Sequence, residues 1–143
     1  MESAVDLKYV DYAAGLDVLF NRSPDLLCHF SPDGRIIKAN CAFKDALGYT
    51  DGDLLAKHFI SFVHPDDMPG TLEQYAALNR NETVLLFCNR YRCADGEYKS
   101  LSWNAAQLPD GTLYASARDI SEIIKARRVK QIAEERLRLS NER

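Results

Sequence analysis

The chain has no long apolar run. Nowhere in its 143 residues does a stretch approach the ~20 apolar residues that a membrane span requires, so membrane insertion is not expected. Residues 1–10 lack the basic-then-apolar layout of a secretory leader, and a cytoplasmic protein is the expectation. Cysteine is scarce: Cys28, Cys41, Cys88 and Cys93 never form CxxC and sit at no zinc-finger spacing from the three histidines. That disfavours a disulfide framework or a structural metal. Two of the four fall inside strand candidates, where a free cysteine behaves as a small apolar residue. A basic excess is missing as well, the net charge being -3, so no nucleic-acid partner is expected. The motifs GxGxxG, GxxxxGK[ST], HExxH and GxSxG are all absent, and no enzyme activity is expected within this chain. The acidic pair Asp66-Asp67 reads as a complement to a helix dipole rather than as acid–base machinery.

What is present suits one folded domain: 46% hydrophobic and 27% charged residues, enough for a single modest core. The charge is uneven. Residues 121–143 carry seven Lys or Arg against four Glu, a net of +3, which leaves -6 on residues 1–120. That basic stretch has no Gly, Pro or aromatic and reads as a separate helix. Three units are expected: an N-terminal amphipathic helix over 1–22, a domain over 23–121, and a C-terminal helix over 122–143.

Along the chain, Tyr9, Tyr12, Ala13, Leu16, Leu19 and Phe20 form a helical stripe. Pro24 ends it, because the residue before a proline avoids helical geometry. Leu26 to Phe30 and Arg35 to Lys38 read as a hairpin around Pro32-Asp33-Gly34. Asn40 reads as the N-cap of a helix through Phe43 and Leu47 that Gly48 terminates. Thr50 to Asp53 caps a short helix carrying Leu54 and Leu55. His64-Pro65-Asp66-Asp67 opens a longer helix with Leu72, Tyr75, Ala76 and Leu78 on its apolar side. The period then changes to that of strands over Thr83–Cys93, Glu97–Leu108 and Thr112–Ser121. Three Asp-Gly turns between strand candidates indicate antiparallel hairpins, and the separated blocks predict an α+β fold with one antiparallel sheet.

This order and the residues at its joints resemble the PAS domain family of sensory modules. The likeness covers about Leu16 to Ser121. It rests on Asn21-Arg22-Ser23-Pro24-Asp25 before the first strand, Ser31-Pro32-Asp33-Gly34-Arg35-Ile36 through Asn40, and Leu47-Gly48-Tyr49-Thr50. Phe62-Val63-His64-Pro65-Asp66-Asp67 and the closing Ala117-Arg118-Asp119-Ile120-Ser121 complete it. The resemblance implies a PAS fold: a five-stranded antiparallel sheet with short helices on one face, an N-terminal amphipathic helix and a C-terminal exit helix. It implies a sensor or signalling module that relays through that helix to a downstream effector in cis, a histidine kinase or a diguanylate cyclase. A chain ending in such a helix is expected to be a piece of a longer regulator. A ligand-free dimerisation module is the alternative.

For sensor chemistry, Asn40-Cys41 superficially resembles the Asn-Cys pair of the covalent-flavin relatives, but that motif belongs where this chain has Ala56-Lys57-His58-Phe59. The haem-binding relatives place a histidine inside the long helix, and the matching stretch, Pro69 to Leu72, has none. His29 and His58 read as structural, and His64 as a helix-start residue. Covalent flavin and haem are therefore disfavoured, and non-covalent flavin or a small metabolite remains open. Alternation puts Leu85, Phe87, Asn89 and Tyr91 on one strand face, and Leu101, Trp103 and Ala105 on one face of the next. The pocket candidates are Phe87, Asn89, Tyr91, Trp103, Asn104 and Ser116, with the polar Asn89, Ser102, Asn104 and Ser116 facing either a cavity or solvent. Arg118, Asp119, Ile120 and Ser121 are the relay candidates, with Asp119 either paired to Arg90 or Arg92 or simply solvated. Val129, Ile132 and Leu139 fit a coiled-coil seam that Arg136 interrupts, with Glu134–Arg138 as an i,i+4 pair. A homodimer through the N- and C-terminal helices is the expected assembly.

Overall fold

Three local turns organise most of the chain. Gly34, Gly96 and Gly111 each adopt φ near +88°, the left-handed conformation that closes their Asp-Gly turns. At Gly34 space matters too: a Cβ there would lie 2.6 Å from His58 Nε2. The computed structural model describes residues 14–142. In it the strands are β1 (Leu26–Phe30), β2 (Ile36–Ala39), β3 (Val84–Arg92), β4 (Tyr98–Gln107) and β5 (Leu113–Asp119). They form one antiparallel sheet in the order β2-β1-β5-β4-β3. The expected α+β architecture with a five-stranded antiparallel sheet is therefore observed.

The helices are α1 (14–22), α2 (Cys41–Leu47), α3 (Asp51–Leu54), α4 (Met68–Asn79) and α5 (Ser121–Asn141), with single 3₁₀ turns at Phe59–Phe62 and Pro65–Asp67. Tyr9, Tyr12 and Ala13 of the expected first stripe lie outside the described residues. Within α1, Phe20 is buried against Tyr114, edge to face at 6.3 Å, while Leu16 and Leu19 remain exposed. Asn40 caps α2 as its sequence position suggests, accepting from Phe43 N at 3.0 Å. It does more than cap. Fully buried, it also accepts from Leu27 N and donates to the carbonyls of Phe20 and Asp25, tying α1, β1 and α2 together. Thr50 and Asp53 form a reciprocal capping box at α3.

The core fills the space between the sheet and residues 41–82. Phe43, Leu47, Leu54, Phe62 and Val63 from that segment pack with Cys28, Tyr91, Leu101, Leu113 and Ala117 of the strands. Two sequence expectations are corrected here. The long helix buries Thr71 and Leu78, with Tyr75 partly buried, while Leu72 and Ala76 are exposed, so its inner face is rotated from the one drawn through the most apolar positions. On β3, Leu85 does not share a face with Phe87. A bulge between Val84 and Phe87 pushes both Leu85 and Leu86 into solvent, and Leu86 takes φ +55°. One inserted residue reverses the side-chain alternation of everything before it.

Candidate functional site

The rotated face of α4 closes over the sheet and leaves a cavity of about 70 Å³. Its floor is Asn89 and Tyr91 of β3, Trp103 and Ala105 of β4, and Leu113 and Ala115 of β5. Thr71, Gln74, Tyr75 and Leu78 of α4 form the roof, at the three- and four-residue spacing of one helical face. Phe30, Phe59, Val84 and Phe87 complete the wall. The bulge is what allows Val84 and Phe87, three residues apart, both to reach this space.

One polar chain crosses the apolar wall. Trp103 Nε1 donates to Asn89 Oδ1 at 2.7 Å, and Asn89 Nδ2 donates to Thr71 Oγ1 at 3.2 Å. Thr71 Oγ1 in turn donates to the Asp67 carbonyl at 2.7 Å. Because an indole N–H only donates, the oxygen of the Asn89 amide must face Trp103 and its NH₂ must face Thr71. The chain continues outward through the Asp67 side chain, which accepts from Arg90 N, Nε and Nη2 at 2.8 to 2.9 Å. Hydrogen bonding from the Arg90 side chain holds the Asp67 carboxyl below its ordinary pKa against the opposing effect of desolvation. At the start of α4, Asp67 makes no side-chain cap; its carboxylate binds β3. Nearby, burial raises the Tyr91 phenol well above its ordinary value, and its hydroxyl donates to Phe59 O at 3.3 Å.

Of the six pocket candidates, Phe87, Asn89, Tyr91 and Trp103 come together at this cavity. Asn104 and Ser116 do not. They face each other across β4 and β5 on the opposite surface of the sheet, one residue out of phase with Trp103 and Ala115. Asn104 has a structural task there: its Oδ1 accepts from Leu86 N at 2.9 Å and so holds the bulge. Sequence reasoning misses Thr71 and Gln74, although with Tyr75 and Leu78 they show the i, i+3, i+4, i+7 signal of a single helix face. Two polar members made that face look like the outside.

The relay candidates form the joint between sheet and exit helix. Ile120 N donates to Ser100 O, Ser100 N to Ser121 Oγ, and Ser121 N to Asp119 Oδ1, all at 2.9 Å. Asp119 pairs with Lys99 at 3.5 Å, not with Arg90 or Arg92, because β4 lies beside β5 and Arg90 is committed to Asp67. Desolvation pushes the Asp119 carboxyl up, but hydrogen bonds from Ser121 and the Lys99 charge outweigh it and leave the pKa lowered. Arg118 reaches Asp25 at 3.4 Å. Beyond the joint, Val129, Ile132 and Leu139 are exposed, as are Ile123 and Leu137, and α5 buries no residue. The expected Glu134–Arg138 pair is not formed. Glu134 pairs back to Lys130, and Arg138 binds Glu135 and Glu142.

Neither haem nor flavin suits this cavity. No histidine or cysteine lines it, and about 70 Å³ is far below the ~300 Å³ at which pockets for such molecules begin. His58 and His64 instead cap the two 3₁₀ turns, accepting from Ile60 N and Asp66 N. Cys41 is exposed at the start of α2. Among the described residues no group of His, Cys, Asp or Glu is arranged to hold a metal, and no helix is long and apolar enough to cross a membrane.

A family model of the PAS fold matches residues 20–123, most of the chain. The chain belongs to the PAS family. Among solved structures, the PAS domain of an HTR-like protein from Haloarcula marismortui is similar at 24% identity, with a TM-score of 0.70 over 82% of this chain and 99% of that one. A domain of a sensory box sensor histidine kinase/response regulator from Geobacter sulfurreducens gives 22% identity and a TM-score of 0.69, over 76% of this chain and 94% of that one. The PAS-B domain of Drosophila melanogaster Cycle with bound ethylene glycol gives 19% and 0.58, over 66% and 96%. Among curated proteins, none matches the sequence significantly. A PAS domain is a regulatory module.

Proposed function

We propose that this PAS domain is a cytoplasmic sensor module whose cavity takes up a small molecule and whose exit helix passes the resulting state to an effector in cis, a histidine kinase or a diguanylate cyclase. The observation that carries this reading is the polar chain Trp103–Asn89–Thr71 set in a mostly apolar cavity between α4 and β3–β5. Such a wall, apolar with a few convergent polar groups, is the usual make-up of a ligand site. The sheet offers a short route outward. Trp103 lies three residues along β4 from Ser100, which holds Ile120 and Ser121. A ligand that binds better to one setting of β4 shifts the population of exit-helix directions by that difference in affinity. The sensor-kinase relative and the glycol-bound PAS-B domain are consistent with both halves of the proposal.

The module acts as a homodimer through α1 and α5. Leu16 and Leu19 on α1, and Val129, Ile132 and Leu139 on α5, are apolar and without a partner in the described chain. The same exposure favours the second reading, a ligand-free dimerisation module. Native mass spectrometry with an absorption spectrum decides between them. A dimer retaining a bound small molecule supports sensing; a dimer without ligand, and indifferent to added ones, supports assembly alone. A monomer at high concentration by light scattering, with both terminal helices intact, overturns the dimer.

A further inference from the structure

We infer that the cavity selects a compact, uncharged molecule of about three to five non-hydrogen atoms, with an apolar body and one hydroxyl or carbonyl oxygen held by Asn89. This rests on the sensory reading above and names its ligand class. Charge is the first ground. None of the lining residues is Asp, Glu, Lys, Arg or His. An ion placed there would lose its hydration and gain no counter-charge, and the Asp67–Arg90 pair at the outer end of the polar chain is already matched.

Size is the second ground. A single water needs ~10–15 Å³ of such space, and an engineered cavity of ~150 Å³ holds benzene. About 70 Å³ lies between these and suits a short-chain molecule. Polarity is the third. An Asn side chain has two N–H donors. With the Asn89 oxygen turned to Trp103, one N–H goes to Thr71 and the other has no partner among the described residues. Asn89 is only 6% exposed, so that donor faces protein or cavity rather than bulk water. Thr71 has already given its hydroxyl proton to Asp67 O and can offer only a lone pair. An oxygen acceptor on the ligand completes the Asn89 amide; a pure hydrocarbon leaves it unpaired.

Trp103 is the only tryptophan, and it donates directly to Asn89, so its emission reports on the cavity. The intact chain is titrated with 1-butanol, butyrate, butylammonium and flavin mononucleotide. Saturable change is expected with 1-butanol, at a Kd no tighter than about 3 μM because so few atoms cap the affinity. Butyrate and butylammonium are expected to bind at least about tenfold more weakly. Asn89→Leu, of similar branched shape, should weaken 1-butanol about fivefold to tenfold. Ala105→Leu fills the cavity, leaves the Asn89 network intact and should abolish the saturable change.

If either ion binds as well as 1-butanol, or Asn89→Leu binds it unchanged, the ligand class is wrong while sensing stands. If only flavin mononucleotide binds, the result is the same. If none of the four alters the emission saturably, class and sensing fall together and the assembly reading remains. Should Asn89→Leu fail to fold by circular dichroism, the wild-type ratio of 1-butanol to butyrate and the response of Ala105→Leu decide the matter.

Discussion

Phe43, Leu54 and Leu101 in the sheet body are completely enclosed, whereas α5, 21 residues long, buries nothing. The two regions are sustained by different forces. The body gains from apolar surface removed from water across segments distant in sequence. The exit helix is supported by neighbours one turn away: Glu122–Lys125, Lys130–Glu134, and Arg138 with Glu135 and Glu142. Its apolar residues are spare, and only a partner outside the described chain can bury them. The body is thus built to hold one arrangement, while the helix is tied to it mainly at the joint of Asp119, Ile120 and Ser121 with β4.

The largest effect should separate the two regions directly. Phe43→Ala, at a position with no exposure, is expected to cost about 3–5 kcal/mol in urea unfolding. Val129→Ala on α5 should cost the monomer less than about 0.5 kcal/mol. Comparable losses would show that α5 packs on the body after all.

Next in size is the clasp between α4 and β3. Asp67→Asn removes the charge that Arg90 grips from both backbone and side chain, and should cost about 1 kcal/mol, a value kept low because water screens the pair. The pH dependence has a definite sign. The folded-state pKa of Asp67 lies below its unfolded value of about 3.9, so its contribution is complete above that pH. It disappears as pH falls through the lowered folded value. Thermal midpoints at pH 7 and pH 3 should therefore fall further in the wild type than in Asp67→Asn.

The bulge gives a smaller, two-signed test. Asn104→Ala removes the acceptor for Leu86 N and should destabilise the body by about 1 kcal/mol. Leu86→Gly relieves a bulky residue from φ +55° and should stabilise it by about 0.5 kcal/mol once glycine's extra chain entropy is counted. The smallest effect belongs to the helix: Arg138→Ala should lower far-UV helicity slightly and leave the body's unfolding midpoint where it was.

Legibility followed the range of the interactions. The hairpin at Gly34, the caps at Asn40 and Thr50, and the strands after Thr83 could be read from residues close in sequence, because a turn or a cap is made by groups within four positions of one another. The pocket was half legible. Phe87, Asn89, Tyr91 and Trp103 follow from strand alternation, but Asn104 and Ser116 were assigned on polarity where phase should have decided. Thr71 and Gln74 were passed over for the same reason. Asp119 could be seen as a joint residue, yet its partner depends on which strand lies beside β5.

The sequence by itself determined the number and order of the strands, their turns and the separate basic exit helix, since each depends on local propensity and periodicity. The tertiary structure alone decided the cavity. Its polar chain joins Thr71, Asn89 and Trp103 across gaps of 18 and 14 residues, and the bulge at Leu86 that admits both Val84 and Phe87 is held from another strand by Asn104. A hydrogen bond between distant segments leaves no periodic trace in either one, so only the folded sheet brings them together.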